Sequence, residues 1–98
     1  MTPEGKVKRK VTALLKAQGV YYFFTQSGGF GKSGVPDIIA CIRGRFLAIE
    51  CKAGDNQPTP LQQAQMKAIS KAGGVAMVIN EDKLQELIFM EQYLKNGC

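Results

Sequence analysis

Ninety-eight residues, 45% hydrophobic and 21% charged, supply apolar surface for one core and no more, so a single domain over 1–98 is expected. Histidine is absent, and Cys41, Cys51 and Cys98 form no C-x-x-C pair, which excludes Ser-His-Asp and Cys-His triads, histidine-ligated zinc and a disulfide framework. The formal net charge is +5, with nine cations and three anions in residues 1–53 against four and five in residues 54–98, so the positive field lies in the N-terminal half and suits a polyanion.

In chain order, Thr2-Pro3-Glu4 is a helix start, with a hydroxyl cap, a proline at the first helical position and an acid where the dipole favours one. Val7, Val11, Leu14 and Leu15 recur at helical spacing, so a first helix is expected over about 3–18. Glu4 falls on that apolar stripe, while Lys6, Arg9, Lys10 and Lys16 mostly point elsewhere. Val20–Gln26 has strand composition, and Ser27–Gly34 that of a glycine-rich loop. Residues 37–42 and 45–52 are apolar runs separated by Arg43-Gly44, a hairpin turn. Thr59 to Gln62 is a Thr-x-x-Gln capping box opening a second helix, expected to run to about Lys71 and stop at Gly73-Gly74. Val75–Ile79 is a short strand, and Asn80 caps a third helix with Leu84, Leu87, Ile88, Tyr93 and Leu94 on its inner face.

The expected order is α-β-β-β-α-β-α, an α/β fold with a mixed central sheet flanked by helices. Both faces of the central hairpin are apolar, which calls for cover on both. Cys41 and Cys51 sit inside apolar runs and are expected in the core. The longest apolar runs, such as Val20–Phe24 and Val75–Ile79, span five residues, far below the roughly 20 of a membrane helix, and no signal-like h-region follows the basic start. An intracellular, cytoplasmic protein without a membrane partner is therefore expected.

With Arg43 and Gly44 as the turn, Asp37 faces Glu50 across the hairpin, and Lys52 lies on the same sheet face. Two carboxylates so placed repel by about 3 kcal/mol at an effective dielectric of 20. A divalent cation offsets that, and an all-oxygen ligand set selects Mg2+ or Mn2+ over zinc. A buried Asp/Glu/Lys cluster without metal is the competing reading, since Lys52 partly neutralises the pair by itself.

Gly34-Val-Pro-Asp37 followed by Ile49-Glu-Cys-Lys52, with Glu4 before them and Gln62 after, resembles the VRR-NUC family of the PD-(D/E)XK nuclease superfamily over about residues 2–79. The resemblance implies a restriction-endonuclease-like core in a stand-alone nuclease similar to Holliday junction resolvases, and a bacterial or phage-infected host cell. It implies a catalytic set of Glu4, Asp37, Glu50, Lys52 and Gln62. Asp37, Glu50 and the backbone carbonyl of Cys51 would bind Mg2+ or Mn2+, with Glu4 joining directly or through a water. Lys52 would position or deprotonate the attacking water, or stabilise charge on the phosphate, and Gln62 would orient the set. The bland alternatives are a capping role alone for Gln62 and a dipole role alone for Glu4.

Gly31-Lys32-Ser33 is no nucleotide-binding P-loop, because Gln26 occupies the required glycine position and a strand follows, so no nucleotide cofactor is expected. Lys32 is a candidate phosphate contact. Lys6, Lys8, Arg9, Lys10 and Lys16 form a basic set that is either a solvated helix face or, beside a nuclease site, a contact for the DNA backbone, with Lys6, Arg9, Lys10 and Lys16 as the candidates. The leading expectation is a metal-dependent, structure-specific DNA endonuclease acting as a homodimer on four-way junctions in DNA repair. The alternatives are a flap- or end-processing nuclease and a non-cleaving nucleic-acid-binding module.

Overall fold

The computed structural model describes residues 1–25 and 33–88. Helix α1 spans Pro3–Ala17, and its cap is the expected one: the Thr2 side chain accepts from the backbone N–H of Gly5 at 3.0 Å. Strands β1 (Tyr21–Phe24), β2 (Ile38–Ile42) and β3 (Arg45–Cys51) follow, then α2 (Pro60–Lys71) and β4 (Val75–Ile79). The sheet order is β1-β2-β3-β4; the first three strands are mutually antiparallel, and β4 runs parallel to β3 after the α2 crossover. Among the described residues no helix is long and apolar enough to cross a membrane.

The hairpin register is set by its turn. Arg43 and Gly44 both have positive φ, 53° and 80°, the combination a two-residue type I′ turn requires and whose twist matches the flanking strands. The resulting ladder pairs Ile38 with Ile49 and Ile42 with Arg45. Alternation then sends Ile38, Ala40, Ile42, Leu47, Ile49 and Cys51 to one face, where Val7, Val11 and Leu15 of α1 close over them with Ile79 and Leu87. This is the core.

The opposite face is only half covered. Helix α2 packs against β4, so Ala48 and Glu50 are buried beneath it while Phe46 stays 47% exposed. Cys41 on the same face is exposed, contrary to its expected place in the core, whereas Cys51 is buried as expected. An apolar cleft of about 290 Å³ remains there, lined by Phe23, Pro36, Ile39, Phe46 and Ile69 among others.

Several boundaries differ from expectation. Val20 and Thr25, expected in the first strand, flank β1 and are not part of it. Asp37 precedes β2 and is not its first residue, and β3 ends at Cys51, before Lys52. The third helical stretch starts at residue 84, because Asn80 accepts from the backbone N–H of Asp82 at 2.9 Å and closes a turn there. Gln26, Tyr93 and Leu94 lie outside the described residues.

Candidate active site

The site lies where the Asp37 segment, the end of β3 and the first turns of α1 and α2 meet. Asp37 is anchored from both sides. Thr25 donates its hydroxyl to the carbonyl of Pro36 at 2.7 Å and its backbone N–H to the carbonyl of Asp37 at 2.9 Å, and Asp37 Oδ2 accepts from the backbone N–H of Cys51 at 3.0 Å. Gly34 has φ of +78°, and a Cβ on it would stand 2.7 Å from the carbonyl carbon of Leu61 and 2.9 Å from the backbone nitrogen of Gln62. Only glycine lets the first turn of α2 lie this close to the chain leading into Asp37.

Glu50, 1% exposed, is the most buried charged side chain among the described residues. Its Oε2 accepts from Gln62 Nε2 at 2.9 Å and lies 3.5 Å from Lys52 Nζ, while its Oε1 is buried with no hydrogen-bond partner among the described residues. Lys52 also lies 4.0 Å from Glu4 Oε1, which α1 delivers from its first turn. One turn on, Lys8 Nζ stands 3.7 Å from Asp37 Oδ1.

Burial pushes the Glu50 carboxyl up to about 7, and the neighbouring Asp37 charge adds to the rise; Lys52 opposes both. The Cys51 thiol is pushed up to about 12, again by burial first and then by Asp37 and Glu50, so it is a neutral core group and no nucleophile at physiological pH.

Carboxylate oxygens of Glu4, Asp37 and Glu50 all lie within 4.8 Å of one another. That convergence, and the orphaned Glu50 Oε1, fit a hard divalent cation: a buried oxygen without a donor costs free energy that coordination would recover.

The structure thus brings together Glu4, Asp37, Glu50, Lys52 and Gln62 as the sequence spacing and the family resemblance imply. Gln62 makes a contact on each side, since Oε1 accepts from the backbone N–H of Thr59 at 2.8 Å while Nε2 donates to Glu50 Oε2. Lys6, Arg9, Lys10 and Lys16 are exposed on the side of α1 away from its buried stripe, and Lys32 lies outside the described residues. Lys8, grouped in the sequence with the solvated lysines, is the residue that reading missed. Its position four after Glu4, on the same helix face, is the signal that would have found it.

A four-stranded mixed sheet flanked by helices, with acid, acid and lysine gathered at the end of its central hairpin, defines a nuclease of the PD-(D/E)XK type. The family model for archaeal Holliday junction resolvase (hjc) matches residues 4–94, and the chain belongs to that family. It is 29% identical over 82 residues to "Putative nuclease p44" of Acyrthosiphon pisum secondary endosymbiont phage 1, covering 83% of this chain and 85% of that one. A solved structure of a VRR_NUC domain protein superposes with a TM-score of 0.76 at 28% identity, over 98% of this chain and 91% of the other.

Proposed function

We propose that this nuclease is a Mg2+- or Mn2+-dependent DNA endonuclease that cuts four-way junctions as a homodimer, in one domain over residues 1–98. The observation that carries the reading is the convergence of carboxylate oxygens of Glu4, Asp37 and Glu50 within 4.8 Å of one another, beside a Glu50 Oε1 that has no partner among the described residues. Glu50, Asp37 and Glu4 would hold the cation, with the Cys51 carbonyl completing the set. Bound there, a divalent cation would lower a water pKa and offset the charge of the phosphodiester.

The chain's own groups do the remaining work. Lys52, its side chain only 12% exposed, keeps its ammonium between Glu50 and Glu4, where it can hold the attacking water or stabilise charge growing on the phosphate. Asp37 is fixed by the Cys51 amide, and Glu50 by Gln62, so neither carboxylate needs to reorganise as charge develops. Lys8 supplies a second cation at the rim, and the exposed Lys6, Arg9, Lys10 and Lys16, with Lys32, would contact the DNA backbone without reading its sequence.

Two features support branched DNA and a dimer. The family takes its name from a junction resolvase, and a two-fold junction suits two copies of one site. Tyr21, Phe23, Phe24 and Phe46 are 71%, 39%, 45% and 47% exposed, an apolar edge at β1 and the half-covered face that a second copy would cover.

The test incubates labelled four-way junction, flap and linear duplex with and without Mg2+ or Mn2+, with sedimentation at the assay concentration. Paired symmetric cuts in the junction by a dimer, lost on chelation, are expected. Cleavage confined to flaps or ends by a monomer would replace this reading with the end-processing one, and binding without cleavage would leave a nucleic-acid-binding module.

A further inference from the structure

We infer that Thr59, an exposed helix cap outside the acidic cluster, is a positioning residue for that cluster, acting on Glu50 through Gln62; the inference rests on the nuclease reading of the site. The capping box at the start of α2 is complete. Thr59 Oγ1 accepts from the backbone N–H of Gln62 at 3.2 Å, and the backbone N–H of Thr59 donates to Gln62 Oε1 at 2.8 Å.

A capping box by itself uses only the oxygen of such a glutamine and asks nothing of its amide nitrogen. Here it donates to Glu50 Oε2 at 2.9 Å, so one planar amide joins a helix cap to a buried carboxylate. The two ends of that amide are not interchangeable. Reversing it would set an NH2 group against the Thr59 N–H and a carbonyl oxygen against a carboxylate, two repulsive contacts in place of two hydrogen bonds.

The cap therefore decides which end of Gln62 faces Glu50: the Thr59 backbone N–H takes the amide oxygen, and Thr59 Oγ1, bound to the Gln62 N–H, holds the turn that keeps the Thr59 N–H within reach. The consequence reaches the buried carboxylate of the acidic cluster. Gln62 and Lys52 both engage Oε2, which leaves Oε1 with no partner among the described residues. If the cap opens, Gln62 is free to turn, Oε2 keeps only Lys52 beside it, and the Glu50 carboxylate is held less firmly in its place beside Asp37 and Glu4. The backbone of Gln62 is also held from the other side, because Gly34 packs against the Leu61–Gln62 peptide and keeps this first turn beside the Asp37 segment.

The test compares Thr59→Ala, Thr59→Ser, Gln62→Ala and the double variant Thr59→Ala/Gln62→Ala in the full chain, well below each thermal midpoint. Three readouts are taken: the Gln62 side-chain amide resonances, Mn2+ affinity by calorimetry, and kcat on a four-way junction. Thr59→Ala is expected to move the Gln62 amide signals toward those of a solvated glutamine and to weaken Mn2+ binding and kcat by about tenfold, the range typical of groups that orient metal ligands. Thr59→Ser should restore all three, and adding Thr59→Ala to Gln62→Ala should change kcat less than twofold.

Ile69→Ala, in the same helix but remote from the cap, should lower the thermal midpoint without moving the Gln62 signals. Wild-type Gln62 signals and Mn2+ affinity in Thr59→Ala, or effects of Thr59→Ala and Gln62→Ala that multiply, would overturn the inference. If the wild-type protein neither binds Mn2+ nor cleaves, the nuclease reading fails by itself, while the Gln62 resonances and their rescue by serine still decide whether Thr59 positions the amide.

Discussion

Lys52 Nζ lies 3.5 Å from Glu50 Oε2, and the two residues are neighbours but one at the end of β3, so a single strand terminus delivers both the buried carboxylate and its counter-charge. Their proximity gives the first prediction. Lys52→Ala should keep the fold and DNA affinity and cut about a hundredfold more slowly, because the ammonium acts mainly on charge present in the transition state. Single-turnover cleavage alongside a binding titration checks this; wild-type cleavage would remove Lys52 from the mechanism.

Stability without cation should depend on pH through Glu50. Its carboxyl stands at about 7 in the folded chain against 4.5 in the unfolded one, so the folded state retains a proton the unfolded chain releases. Stability should then fall as pH rises from about 4.5 to about 7 and level off above, by on the order of 3 kcal/mol. Thermal melts across that range should show the slope in the wild type and its loss in Glu50→Gln. Millimolar Mg2+ should reverse the slope, because it binds the ionised form.

Asp37→Asn tests the carboxylate repulsion directly. The amide oxygen can still accept from the Cys51 N–H, while the charge that helps raise Glu50 is gone. Without cation the thermal midpoint should rise by about 5 °C, and the further rise that Mn2+ gives the wild type should vanish. A lower midpoint with the Mn2+ effect intact would contradict the assignment of Asp37 as a ligand.

DNA affinity and chemistry should separate by salt. Each phosphate neutralised by the protein contributes a log-log slope near −0.9 on duplex DNA. Replacing Lys6, Arg9 and Lys10 together should flatten the slope by up to about three units, whereas Glu50→Gln should leave it unchanged and abolish cutting. Fluorescence anisotropy over a range of salt concentrations measures both.

Much of this was legible before folding, for local reasons. Thr2-Pro3 and the Thr59 to Gln62 box each start a helix through bonds three residues long, and Arg43-Gly44 sets a two-residue turn, so the pairing of Ile38 with Ile49 follows from the turn alone. Alternation from that register is enough to put Glu50 and the Asp37 segment on one face.

What tertiary structure alone decided are relations between segments far apart in the chain. The pairing of Lys8 with Asp37 depends on how α1 crosses the sheet, and the exposure of Cys41 on α2 settling over β4 instead of the centre of the face. The spacing from Glu4 puts Lys8 on the right face of α1, but nothing local specifies which sheet residue it meets or where α2 settles, because the same apolar residues would be equally well buried by a helix displaced sideways. The orphaned Glu50 Oε1 is of this kind too. An unsatisfied oxygen is a property of everything packed around it, and no run of residues encodes it.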